Sequence, residues 1–208
     1  MAQFFSVHPT HPQKRLIRLA AEIVRGGGLI AYPTDSCYAL GCQLDDARAL
    51  ERLRRLRGID ERHHLTLMCR DLSEISAYAL VDDARFRLLK RVTPGSYTFI
   101  LPARRQVPRR VTSRKTIGVR IPGHPAAHAL LAELNEPMLS TTLTLPGEAT
   151  PLADAEEIRE RLERQLDLIV DAGPGDTLPS TVIDLTKDAP QVLRQGKGSL
   201  APFAVEPV

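Results

Sequence analysis

The sequence predicts an α/β protein, a mixed β-sheet with helices on both faces, and three observations carry that prediction. Short apolar runs of strand length alternate with longer segments of helical periodicity, and some strand-like runs follow one another directly, so the sheet mixes parallel and antiparallel pairs. Hydrophobic residues make up 43% of the 208 residues and charged residues 25%, the balance of a water-soluble globular chain with a real core. No repeat, low-complexity tract or long linker interrupts the order, which predicts one domain over residues 1–208.

Residues 4–7 read as a first strand. Pro12 marks the first turn of a helix that carries Leu16, Leu19, Ala20, Ile23 and Val24 inward and ends at Gly26. The stretch from Gly26 to Gly41 follows. Three glycines end the helix, residues 29–32 form a buried strand, and the chain then breaks at Pro33 into Thr34, Asp35, Ser36, Cys37 and Tyr38. A strand that stops in polar groups delivers them to a sheet rim, where open α/β folds bind ligands; an ordinary turn closed by its own hydroxyls reads the same way.

Asp45 or Asp46 caps a second helix with Ala47, Leu50, Leu53 and Leu56 on one face and Gly58 at its end. Arg48 and Arg52 read as solvated, whereas Arg55 and Arg57, in the last turn, are placed to turn toward a ligand. His63 and His64 precede a strand at residues 66–69 and are expected to face solvent, because neighbours in sequence rarely point the same way. Asp71 and Glu74 have capping-box spacing, and Asp82 caps a helix with Phe86, Leu88 and Leu89 inward.

A strand at residues 97–101 leads into the most basic segment, with Arg104, Arg105, Arg109, Arg110, Arg114 and Lys115. This is the footprint of a polyanion site, and equally that of a basic loop with no partner. Arg120 differs, since it ends a strand just before Pro122-Gly123 and is expected to point into a rim. A helix at residues 126–134, a hydroxyl-rich strand at 137–144, a helix capped by Asp154 and strands at 168–170, 180–184 and 191–196 complete the chain.

Other patterns exclude functions. The three cysteines include no Cys-x-x-Cys pair and no zinc spacing, which implies a reducing compartment and no structural metal. No apolar run reaches membrane-spanning length and the N-terminus lacks a secretory pattern, so the expected location is cytoplasmic. Neither Walker A nor G-x-G-x-x-G occurs. The candidate rim residues are hydroxyls and guanidiniums with few carboxylates and no general base. Such a set suits holding an amino-acid carboxylate beside a triphosphate, with Mg²⁺ carried in on the nucleotide. Nothing in the sequence pairs Cys37 with His63 or His64 as nucleophile and base.

In the same order, Pro33-Thr34-Asp35-Ser36-Cys37-Tyr38-Ala39-Leu40-Gly41, Pro94-Gly95-Ser96-Tyr97-Thr98, Gly118-Val119-Arg120-Ile121-Pro122, Ser180-Thr181-Val182-Ile183-Asp184 and Leu193-Arg194-Gln195-Gly196 resemble the motifs of the YrdC-like family of threonylcarbamoyl-AMP synthases, and most of all its YciO branch. The resemblance implies a twisted sheet around a large basic cavity, and a nucleotidyltransferase-type reaction of L-threonine, bicarbonate and ATP that gives threonylcarbamoyl-AMP for tRNA modification, or an adenylate hydrolase acting on that product. It implies threonine binding by Thr34, Arg120 and Ser180, with Thr141 beside them, and nucleotide binding by Thr116 and Arg194. It implies no tightly bound metal or organic cofactor.

Two motifs depart from the family pattern. Its Lys-x-Arg reads here as Arg55-Leu56-Arg57 and its Ser-x-Asn as Thr142-Leu143-Thr144, so the resemblance gives Arg55, Arg57, Thr142 and Thr144 the catalytic and phosphate-side roles in altered form. A guanidinium is bulkier than an ammonium, and Thr lacks the amide's paired donor and acceptor. The family's double-stranded RNA binding would fall on Arg104, Arg105, Arg109, Arg110, Arg114 and Lys115, and a non-catalytic tRNA- or RNA-binding protein is the alternative reading.

Overall fold

A computed structural model describes residues 1–112 and 115–203. Arg114 therefore lies outside the described residues.

The strands are β1 (Gln3–Ser6), β2 (Ile30–Tyr32), β3 (Ala39–Gln43), β4 (Thr66–Met68), β5 (Tyr97–Pro102), β6 (Thr116–Arg120), β7 (Met138–Thr142), β8 (Leu168–Asp171), β9 (Thr181–Asp184) and β10 (Gln191–Arg194). They form one sheet in the order β1-β8-β2-β3-β7-β4-β6-β5-β9-β10. The pairs β1/β8, β2/β8, β4/β6 and β5/β9 are parallel, and the other five are antiparallel. The sheet is thus mixed, as the sequence predicts.

The helices are α1 (Lys14–Arg25), α2 (Ala47–Arg57), α3 (Leu72–Tyr78), α4 (Asp83–Val92), α5 (Pro125–Leu134) and α6 (Ala155–Leu162). Pro12 lies just outside α1, whose N-cap is Gln13. Asp46 caps α2 by accepting the Ala49 N–H, and Gly58 ends it in the left-handed region at φ 62°, which costs glycine little. Asp71 caps α3 through the Glu74 N–H, but Glu74 reaches back to the N–H of Arg70 and not to that of Asp71, so the capping box is displaced by one residue. In α4 Leu89 is buried while Phe86 is exposed, contrary to the expected inward set, because only one edge of this helix meets the core.

Strand alternation sorts the side chains onto two faces. On one face Ala31, Leu40, Leu67, Phe99, Val119, Leu139, Ile169 and Ile183 join Leu50 and Leu53 of α2, Ile75 of α3, Leu89 of α4 and Ile158 of α6 in a continuous core. On the other face α1 and α5 cover only part of the sheet, packing Ala20, Val24, Leu130 and Leu131 against Ile30, Tyr32, Ala39, Met68, Met138 and Leu168. Past Met68 that face carries no helix. There the outward positions of β4, β6, β5 and β9 are Thr66, Gly118, Arg120, Thr98, Ile100 and Val182.

Phe99 is fully buried on the covered face, directly behind this open strip. Phe99→Ala is expected to lower unfolding stability by about 3–5 kcal/mol, read as a shift of the urea midpoint.

Candidate functional site

The open strip is the floor of a cavity of about 310 Å³. Its floor residues are Ala39, Thr66, Met68, Thr98, Ile100, Arg120, Ser140, Thr142, Val182 and Arg194, and its walls come from Thr34, Ser36 and Cys37 in loop 33–38, Arg62, His63 and His64 in loop 59–65, and from Thr141, Ser180 and Leu193. No aspartate or glutamate is among these residues, so the cavity is basic.

Arg120 is the fixed point. It ends β6, its side chain is only 8% exposed, and its Nη2 donates to Asp35 Oδ1 at 2.5 Å and more weakly to Thr34 Oγ1 at 3.4 Å. Ser96 Oγ donates to the Asp35 carbonyl at 2.9 Å and lies 3.1 Å from Asp35 Oδ2, so the carboxylate is itself held from the β5 side. Loop 33–38 closes on itself: Thr34 Oγ1 donates to the Cys37 carbonyl at 2.7 Å and accepts the Ser36 N–H at 3.1 Å. The self-bonded turn and the ligand rim, which the sequence presents as alternatives, are one structure, with Thr34 and Ser36 both on the cavity wall.

Ser180 joins the two ends of the cavity. Its hydroxyl shares a 2.8 Å hydrogen bond with Thr98, and its carbonyl accepts from Arg194 Nη2 at 2.9 Å and Nε at 3.2 Å. Thr34, Arg120, Thr141 and Ser180, which the resemblance assigns to threonine, therefore share one hollow with Arg194 and Thr142.

Other expected site residues lie elsewhere. Arg55 points to solvent, 76% exposed, and pairs with Glu51 one helical turn away, because position 55 falls on the face of α2 opposite Leu53 and Leu56. Arg57 is half-buried outside the cavity wall, donating through Nη1 to the Thr144 carbonyl while its Nε is buried with no partner among the described residues. Thr144 thus contributes a carbonyl behind the wall and not a side chain in it. Thr116 shares a face with Arg120 but begins the same strand, about 13 Å away at the rise of a β-strand, and pairs with Pro102.

The basic segment runs away from the cavity. Val107 and Val111 are buried in the core beneath α2 and α3, Arg104 Nε donates to the Ala79 carbonyl, and Arg110 Nη2 donates to the carbonyl and carboxylate of Asp45. Arg105, Arg109 and Lys115 are exposed, Lys115 at φ 57°.

Sequence reasoning missed several residues here. His63, which is exposed as expected, and the half-buried His64 also line the cavity, because loop 59–65 places both at its mouth. Burial first, then Arg57, His64 and Arg194, lower the pKa of His63, and Asp60 opposes them. Burial lowers Arg57 and Arg194 as well, while it raises the Cys37 thiol against the pull of Ser36 and Arg120. Cys37 is therefore a wall group whose neutral thiol form is favoured. Thr98 was legible from alternation, since Phe99 must face the core. Asp35 was not, because only the fold sets it against Arg120.

The Sua5/YciO/YrdC family model, described as telomere recombination, matches residues 22–196. The chain belongs to this family. It is 56% identical over 205 residues to YciO of Escherichia coli strain K12, covering 98% of this chain and all of that one, and the crystal structure of E. coli YciO superposes with a TM-score of 0.94. It is 36% identical to the threonylcarbamoyl-AMP synthase of Nitrosococcus oceani over 77% of this chain and 86% of that one. The crystal structure of P. abyssi Sua5 complexed with L-threonine matches with a TM-score of 0.86 and 30% identity, over 93% of this chain and 57% of that one. The twisted mixed sheet around a basic cavity is thus the fold of this family. Among the described residues, no helix is long and apolar enough to cross a membrane.

Removing one partner of a buried ion pair leaves the other charge uncompensated. Asp35→Asn is expected to cost about 3 kcal/mol in urea unfolding. The double variant Asp35→Leu/Arg120→Met is expected to lose less than Asp35→Asn alone, which reverses if the pair is solvated and energetically idle.

Proposed function

We propose that the cavity binds L-threonine and ATP and that the protein forms threonylcarbamoyl-AMP from them and bicarbonate, as a slow synthase of the kind its relatives are named for. The observation that carries this reading is the meeting of Thr34, Arg120 and the neighbouring Ser180 and Arg194, drawn from three separate regions of the chain, in one cavity without an acidic lining group.

In this reading the threonine carboxylate lies toward Arg120, whose position Asp35 and Thr34 fix before the ligand arrives. Thr141 and Ser180 offer hydroxyls to the amino acid's polar groups, and Thr98 sets the rotation of the Ser180 hydroxyl. The threonine amine, as the free base, forms a C–N bond to the carbon of bicarbonate, which loses one oxygen as water to give the N-carboxylate. An oxygen of that carbamate then bonds to the α-phosphorus of ATP as the bond from that phosphorus to the α–β bridging oxygen breaks to release pyrophosphate. Arg194 lies across the same hollow, where its charge offsets the negative charge on the phosphates. Mg²⁺ enters with the nucleotide as part of the substrate. Catalysis rests on placing two anions side by side, with hydroxyls and guanidiniums as the working groups.

Arg55 and Thr144 have no place in this scheme, and Arg57 acts through its charge from behind the wall. The loss of those direct contacts accounts for a slow reaction. Supply of the adenylate for tRNA threonylcarbamoyladenosine follows from the same reading. RNA binding as the main role has less support, since Arg104 and Arg110 are occupied by the protein's own oxygens.

Threonine-dependent pyrophosphate release from ATP in bicarbonate buffer is expected at high enzyme concentration, falling at least tenfold in Arg194→Gln. Release that is unchanged by omitting threonine contradicts the synthase, and added threonylcarbamoyl-AMP then tests adenylate hydrolysis separately.

A further inference from the structure

The family resemblance places a phosphate-side cation at position 55, and the structure turns that side chain outward, 76% exposed and paired with Glu51. The adjoining stretch of cavity wall is instead built by loop 59–65, which follows Gly58 at the end of α2 and enters β4 at Thr66. This loop places Arg62, His63 and His64 on the cavity. Its backbone is tied by Asp60, whose carboxylate accepts the Arg62 N–H at 2.8 Å and whose carbonyl accepts the His63 N–H at 3.3 Å.

We propose that Arg62 and His63 form a phosphate subsite facing Arg194, in which His63 takes up a proton when the phosphate chain of a nucleoside triphosphate enters. The inference rests on the proposed function only for the nucleotide that fills the subsite.

Two observations carry it. First, the cavity wall holds three guanidiniums, Arg62, Arg120 and Arg194, and only Arg120 has a carboxylate partner among the described residues. Second, the charges acting on His63 are Arg57 from the end of α2, His64 and Asp60 from its own loop, and Arg194 from β10. Partial desolvation at the cavity mouth, the largest cause, and those cations lower the pKa of His63 and so favour the neutral imidazole in the free protein. An anion seated against Arg62 and Arg194 would add negative charge beside His63 and offset the nearby cations, Arg194 among them, that disfavour its protonation.

The sign follows from linkage. Anion binding raises the pKa of His63, so affinity is greatest at low pH and falls as pH rises through the pKa of the complex, by at most tenfold per unit for one proton.

Calorimetric titration of the protein with Mg-ATP at pH 6 and pH 8 tests this. The ratio of Kd at pH 8 to Kd at pH 6 is expected to be at least threefold larger for the wild type than for His63→Gln, a comparison that cancels the titration of ATP itself. Arg62→Gln is expected to weaken binding at least fivefold at both pH values, against less than twofold for the exposed Arg18→Gln, which removes the same charge elsewhere. The C2–H resonance of His63 in the wild type gives a second reading that needs no variant, and its pKa is expected to rise on adding Mg-ATP. Equal pH ratios in wild type and His63→Gln, an unmoved His63 pKa, or Arg62→Gln behaving as Arg18→Gln each overturn the proposal. A protein that shows the proton linkage but no threonine-dependent turnover keeps this subsite and loses the synthase reading.

Discussion

The site exists because one face of a ten-stranded sheet is covered over only part of its width. On that face α1 and α5 reach as far as Met68 and stop, while the opposite face is packed continuously by α2, α3, α4 and α6. The rigid core behind the strip lets the strip stay open. Its outward positions are freed from packing and carry hydroxyls and arginines, which would be costly in a closed core.

An open strip needs its charged groups fixed, and the Arg120–Asp35 pair does this. Arg120 ends β6 and Asp35 sits in the loop after β2, strands that are separated in the sheet by β3, β7 and β4. The pair therefore ties loop 33–38 across the floor to the middle of the open strip. Ser96 extends the tie to β5, and the Thr98–Ser180–Arg194 chain of hydrogen bonds extends it to β10 at the edge. Positioning of this kind, set before a ligand arrives, is what a site without a strong acid or base can offer.

Much of the fold was legible because its signals are local. Asp46, Asp71, Asp82 and Asp154 cap helices where their spacing says they should, and Gly58 ends α2 in the conformation a glycine favours. The strand-end arginine and the hydroxyls at Thr34 and Ser180 were also readable, since polar groups at strand ends gather at a rim. What was not legible depends on direction at longer range. Arg55 and Arg57 are two residues apart on one helix, and their roughly 200° separation sends one to solvent and the other toward β7. His63 and His64 were read from the habit of adjacent side chains to diverge, yet a short loop over a concave surface brings both to it. Thr116 has the right face and the wrong end of its strand.

In the proposed function one cavity holds an amino acid and a nucleotide together against Arg120 and Arg194. A crystal structure with L-threonine and a non-hydrolysable ATP analogue tests it most directly. Threonine density is expected within hydrogen-bond distance of Thr34, Arg120 and Ser180, and phosphate density within reach of Arg194 in the same cavity. Nucleotide bound on another surface, or threonine absent from the Arg120 end at saturating concentration, would contradict it.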